Sequence, residues 1–123
     1  MTNNTTQITE RALGKLQIFI KPKDKLKSES LLERLRPKQV YRELVKNAKA
    51  EGLMNASVYQ THSGFSGNDK IRVAHPELDN NDLALCVELI DKKPKLEAFC
   101  KNNAALLRGR LIIFKPVEFW EVN

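Results

Sequence analysis

Apolar and polar positions alternate through LQIFIKP. Leu16, Ile18 and Ile20 lie on one side, Gln17 and Phe19 on the other, and this period of two predicts a strand over 15–21, ended by Pro22. Residues 1–14 ahead of it are polar and rich in Thr and Asn, and read as a flexible arm. Residues 23–36, charged around Leu31, Leu32 and Leu35, predict a loop with a short helical turn. From Pro37 the period changes. Val40, Leu44 and Ala48 recur every four positions, and Tyr41 and Val45 widen the stripe. A helix over 37–51 follows, with Pro37 in its first turn and Gly52 as a left-handed C-cap. MNASVYQTHS then returns to period two. This second strand, 54–63, has Met54, Ala56 and Val58 facing one way and Ser57, Tyr59 and Thr61 the other.

Residues 64–82, GFSGNDKIRVAHPELDNND, show no period. A stretch this long inside a compact domain is more often functional or disordered than idle. LALCVELID is apolar on both sides apart from Glu88 and predicts a central strand over 83–91. Leu96, Phe99, Cys100, Asn103 and Leu107 trace a second helix over 94–107, in which Asn103 is the polar break. RLIIFKPVEFWEV predicts a last strand over 110–122, and Pro116 within it implies a bulge or an unpaired edge.

The order β-α-β-β-α-β is the ferredoxin-like pattern, an α+β fold with a four-stranded antiparallel sheet and both helices on one face. The other face then lacks a helix, yet these strands carry apolar residues on both sides. Leu111 and Ile113 oppose Ile112, Phe114 and Trp120, and Phe19 and Tyr59 oppose the main rows of their strands. An open apolar face of that size predicts packing against sister subunits.

A length of 123 residues suits one domain, and 21 Lys and Arg against 15 Asp and Glu leave a net +6. That balance suits anionic partners: nucleotides, nucleic acid, or an acidic protein or membrane surface. The two cysteines, Cys86 and Cys100, sit in apolar contexts without a CxxC spacing, and read as reduced thiols acting as small hydrophobes. No basic region followed by an apolar run opens the chain, and no stretch approaches a membrane span. A cytoplasmic location is expected.

Two clusters stand out chemically. In SGFSG (63–67), Gly64, Phe65, Ser66 and Gly67 follow a strand, and the glycines would let backbone N–H groups approach a phosphate, or simply make a turn. In LRGR (107–110), Arg108 and Arg110 flank Gly109. Guanidinium groups clasp phosphate oxygens in pairs, and arginines equally suit a helix C-terminus. Lys70 and Arg72 are possible loop contacts to the same anion. His62 and His75 lack metal-pair spacing, so no metal ligand is assigned. No nucleophile–base pair or paired carboxylates emerge, so an enzyme is not expected.

Three stretches carry a family resemblance: LQIFIKPKDK, VYRELVKNAKAEGLMNASVYQTHSGFSG and DLALCVELIDKKPKLEAF, in this order. With the carboxyl strand, the chain resembles the PII-like proteins of domain of unknown function 190, relatives of PII and CutA, over 15–122. The resemblance implies a single PII-like domain over 15–123, a homotrimer, and a mobile T-loop at 64–82. It also implies ligand sites in clefts between subunits, built from that loop's base and 107–110. The expected function is a signalling or regulatory protein that senses a small anionic ligand, an adenine nucleotide (AMP, ADP or ATP), with no other cofactor. Its target would be a protein partner such as a membrane transporter or an enzyme. Asp24 matches a family aspartate and reads as a turn cap. The alternatives are a CutA-like trimer associated with metals and a basic nucleic-acid-binding module. RNA-recognition domains of this topology stack bases on aromatics of the central strands, and LALCVELID offers none.

Overall fold

The structure, a computed structural model, describes residues 5–21, 37–61, 63–64, 71–73 and 84–123. Its elements are β1 (Ile8–Ile20), α1 (Pro37–Ala50), β2 (Asn55–Gln60), β3 (Ser63–Gly64), β4 (Arg72–Val73), β5 (Leu85–Asp91), α2 (Lys93–Asn102), α3 (Ala104–Leu107) and β6 (Leu111–Val122). The four long strands form one sheet in the order β2-β5-β1-β6, with every neighbouring pair antiparallel. This is the ferredoxin-like arrangement read from the sequence. The expected loop turn at 23–36, with Asp24, lies outside the described residues.

The period-two rows become the core. Ile18 stands between Val87 and Ile112, and Leu16 between Leu89 and Phe114, while Ala56 and Val58 continue these rows on β2. The helices cover them: Val40, Leu44 and Ala48 from α1, and Leu96 and Phe99 from α2, are all buried in the same cluster. Gly52 stops α1 with φ +74°, and its N–H donates to the Lys49 carbonyl while Leu53 N–H donates to that of Ala48. That pair of bonds is a Schellman motif, and Leu53 packs back on the core as the motif favours. Asp91, buried at the end of β5, accepts from the N–H groups of Met54 (2.9 Å) and Lys92 (2.6 Å). One carboxylate thereby joins the start of β2 to the start of α2.

Two expectations are corrected, and one of two alternatives for Pro116 is decided. The first strand starts at Ile8, not 15, so residues 8–14 of the expected arm are the first half of β1. Their partner is the carboxyl strand, paired from Ile8↔Val122 to Phe19↔Leu111. Pro116 opposes Gly14 in this unbroken register without a bulge, and β6 is the sheet's edge strand, where a missing N–H is tolerated. The second helix is divided at Asn103 (φ −113°, ψ 25°) into α2 and α3. The Asn103 side chain accepts from Asn47 Nδ2 (2.7 Å) and donates to Glu51 Oε2 and the Phe99 carbonyl (2.8 Å each). A side chain that satisfies a neighbouring backbone carbonyl competes with continued helix, and here it also ties α2 to α1.

The helix-free face is apolar around a polar centre. Tyr59 and Leu111 are each 53% exposed on it, and Phe19, Ile90, Ile113 and Val117 are half-buried. At its middle Glu88 receives Gln17 Nε2 (3.4 Å) and lies 3.6 Å from Lys15 Nζ. Beyond Gly14↔Asp91, where β5 ends, β1 and β6 continue as a two-stranded ribbon over 8–13 and 117–122.

Candidate functional site

Strand register fixes where the two candidate clusters lie. Gln60 pairs with Leu85, Leu85 with Ile20, and Phe19 with Leu111. The end of β2, the start of β5, the end of β1 and the start of β6 therefore share one end of the sheet. The 108–110 turn leads into β6 at this end, and the ribbon of β3 and β4 leaves β2 from the same end.

At the base of the 62–83 excursion, the N–H and the hydroxyl of Thr61 both donate to the Ala84 carbonyl, at 2.9 and 3.0 Å. This closes the loop's two ends against each other. Just beyond, Ser63 pairs with Val73 and Gly64 with Arg72, so the expected loop begins as a short antiparallel ribbon. Phe65, Ser66, Gly67 and Lys70 lie outside the described residues, as do His62 and His75. Arg72 is placed by its backbone, in β4 opposite Gly64. Thr61 was read only as a strand residue; its hydroxyl just past the end of β2 closes the loop.

The arginine turn is built by the end of α3. Leu106 and Leu107 are buried and anchor it, and the N–H groups of Arg108 and Arg110 donate to the carbonyls of Ala104 (3.0 Å) and Leu107 (3.2 Å). Gly109 has φ +80°, a left-handed conformation that side chains disfavour, which explains a glycine between two arginines. Arg110 Nε donates to the Leu106 carbonyl at 2.6 Å, so part of this guanidinium serves the helix end, while Arg108 is exposed.

The strands next to the two clusters, β2 before Gly64 and β6 after Arg110, are not neighbours in the sheet. β2 and β6 are opposite edges of the sheet, with β5 and β1 between them. Three strand spacings put the end of β2 and the start of β6 about 14 Å apart. They share an end of the sheet but not an edge.

Both thiols are free. Burial, and then Glu88, pushes the Cys86 thiol up, and burial, and then Glu97, does the same for Cys100. Raised thiols are poor nucleophiles and metal ligands. Among the described residues no three His, Cys, Asp or Glu side chains lie together as a metal site. Among them, too, no helix is long and apolar enough to cross a membrane.

Solved structures with this fold exist. CPII from Thiomonas intermedia K12, bound to ADP and bicarbonate, is 9% identical and superposes with a TM-score of 0.57 over 92% of this chain and 91% of its own. Its apo form gives 0.52 at 12% identity, covering 94% and 99%. A PII-like signaling protein from Thermus thermophilus gives 0.55 at 10% identity, covering 91% of each chain. At such identities the likeness shows the fold, which is PII-like. No curated protein matches the chain. Residues 13–119 match the model of the family described as DUF190, uncharacterized ACR, COG1993, and the chain belongs to that family.

Proposed function

We propose that this protein is a PII-like regulator, a homotrimer that binds an adenine nucleotide in clefts between its subunits. The observation that carries this reading is that the end of β2, which leads to Gly64, and the Arg108–Arg110 turn lie at one end but on opposite edges of the sheet. Trimerisation through the helix-free face would set one chain's β2 edge beside the next chain's β6 edge. It would also cover Tyr59, Leu111 and Ile113. Each cleft then holds backbone N–H groups of 64–67 from one chain and Arg108 and Arg110 from its neighbour, with Lys70 and Arg72 as further contacts. Cations and backbone donors converging on one cleft suit the phosphates of AMP, ADP or ATP. CPII carries ADP, AMP and bicarbonate on the same fold, which supports the choice of nucleotide. Ligand binding at the base of the 64–82 loop would make that loop present or hide a docking surface for a cytoplasmic target, an enzyme or a membrane transporter. The role is regulatory rather than catalytic.

The test is a thermal-shift titration with AMP, ADP, ATP, bicarbonate and divalent metals, on protein sized by light scattering. Ligand at a hundredfold over its Kd stabilises by about 2.7 kcal/mol. One nucleotide should raise Tm, and Arg108→Ala should abolish the rise without lowering the ligand-free Tm. A trimer indifferent to every nucleotide would refute the sensor reading.

A further inference from the structure

The ribbon formed by residues 8–13 and 117–122 serves no part of the site described above. It runs about 20 Å past the last pair with β5, six residues at roughly 3.3 Å each. Its tip lies largely outside the family match, which spans 13–119.

The ribbon carries exposed apolar side chains on both sides. On the side that continues the helix-facing rows, Ile8 (53% exposed) pairs with Val122 (69%), and Trp120 (55%) stands opposite Glu10. On the other side Phe119 is also exposed, next to Val117. A lone two-stranded ribbon is marginal in water, and apolar groups on both faces make this one costlier to leave bare. Its charge is also opposite to that of its own chain. Glu10, Glu118 and Glu121 against Arg11 give it a net −2, and since the chain totals +6, the remainder carries +8.

We propose that the ribbon is an arm that seats on a second copy of this chain, with Trp120, Ile8 and Val122 buried against it and the glutamates facing its basic surface. Charge complementarity selects the occupant, because an acidic ribbon finds its opposite on any sister chain. The Phe119 side, opposite Trp120, is continuous with the open sheet face through Val117 and Ile113, so the arm starts at the edge of the face proposed to pack on sister copies and carries Trp120 beyond it. A ribbon meeting a different patch of its neighbour is a head-to-tail contact, which closes into a ring. The inference rests on the trimer proposed above and adds a contact to it.

Trp120 is the sole tryptophan of the chain, so its fluorescence reports this contact alone. Acrylamide quenching of the full-length protein is measured across a dilution series, with mass followed by light scattering. In the assembled protein the indole should be shielded and blue-shifted, and should lose that shielding as the assembly dissociates. Trp120→Ala should raise the dissociation midpoint by about thirtyfold or more, the effect of losing an interface anchor. Glu10→Lys with Glu118→Lys, which keeps the indole, should unshield it or raise the midpoint likewise. A trimer whose Trp120 is quenched as freely as in urea would overturn the arm and leave the trimer standing. A single-chain mass at every concentration would overturn both, and an indole shielded in that single chain would mean the ribbon folds onto its own subunit.

Discussion

Replacing Asn103 with leucine separates two accounts of the second helix. Read as a stripe, Leu96, Phe99, Cys100, Asn103 and Leu107 want an apolar residue at 103, and Leu is also the better helix former. The structure predicts the opposite. Asn103 is 5% exposed and makes three side-chain hydrogen bonds, to Asn47, Glu51 and the Phe99 carbonyl. At about 1 kcal/mol each their loss costs about 3 kcal/mol, and Asn47 and Glu51 are left short of a partner beside the core. Leucine returns about 1.5–3 kcal/mol of apolar burial, but overpacking a filled site removes about 1–3 kcal/mol again. The net loss is about 2 kcal/mol. With a urea slope near 1.5–2 kcal/mol/M, the midpoint should fall by about 1 M at fixed protein concentration. In the Asn103→Leu background, Asn47→Ala should cost about 1 kcal/mol less than in the wild type, since the two share a bond. An unchanged or raised midpoint would refute the network's role and restore the unbroken stripe.

Gly14→Ala should lower stability by about 1–2 kcal/mol by thermal or urea melting, because a Cβ there meets the Phe114 ring and lies 3.1 Å from Leu96 Cδ1; a residue in an unpaired arm would show no effect. Glu88→Lys places two cations together on the open sheet face, where Glu88 now faces Lys15, so light scattering should find a single-chain mass with the circular dichroism spectrum retained. Cys86 and Cys100 hold their protons more tightly folded than unfolded. Their contribution to stability is therefore complete below the unfolded thiol pKa of about 8.5 and is lost as pH rises through the higher folded values. Urea midpoints should fall with pH across that window, and the fall should shrink in Cys86→Ala with Cys100→Ala.

Element types and order were legible because the core rows keep strict periods: Leu16, Ile18 and Ile20 at two, Val40, Leu44 and Ala48 at four. The first strand's true start was hidden because Thr9, Glu10 and Arg11 carry no apolar alternation. They are strand because β6 runs alongside them, and pairing of distant segments overrides local pattern. The length of the carboxyl strand was itself the clue, since a strand that long needs a partner of similar length. Asn103 was seen as a break in a stripe, but its partners Asn47 and Glu51 lie on another helix, beyond the reach of helical spacing. Of the candidate site, Arg108 and Gly109 could be located by their motif. Arg110's bond to Leu106 could not, because it depends on how α3 ends. That β2 and β6, the strands beside the two clusters, are opposite sheet edges follows only from strand order.

A nucleotide site shared between two copies is tested most directly by mixing. Gly64→Val chains, which block the loop half, and Arg108→Ala chains, which lack the arginine half, should each bind no ADP by isothermal titration. Unfolded together and refolded, they should form mixed trimers in which about a quarter of the clefts pair an intact loop with an intact arginine turn, restoring ADP binding at that fraction of the wild-type site number. No recovery from the mixture, with wild-type protein binding ADP normally under the same refolding, would place both halves of the site in one chain and contradict the account.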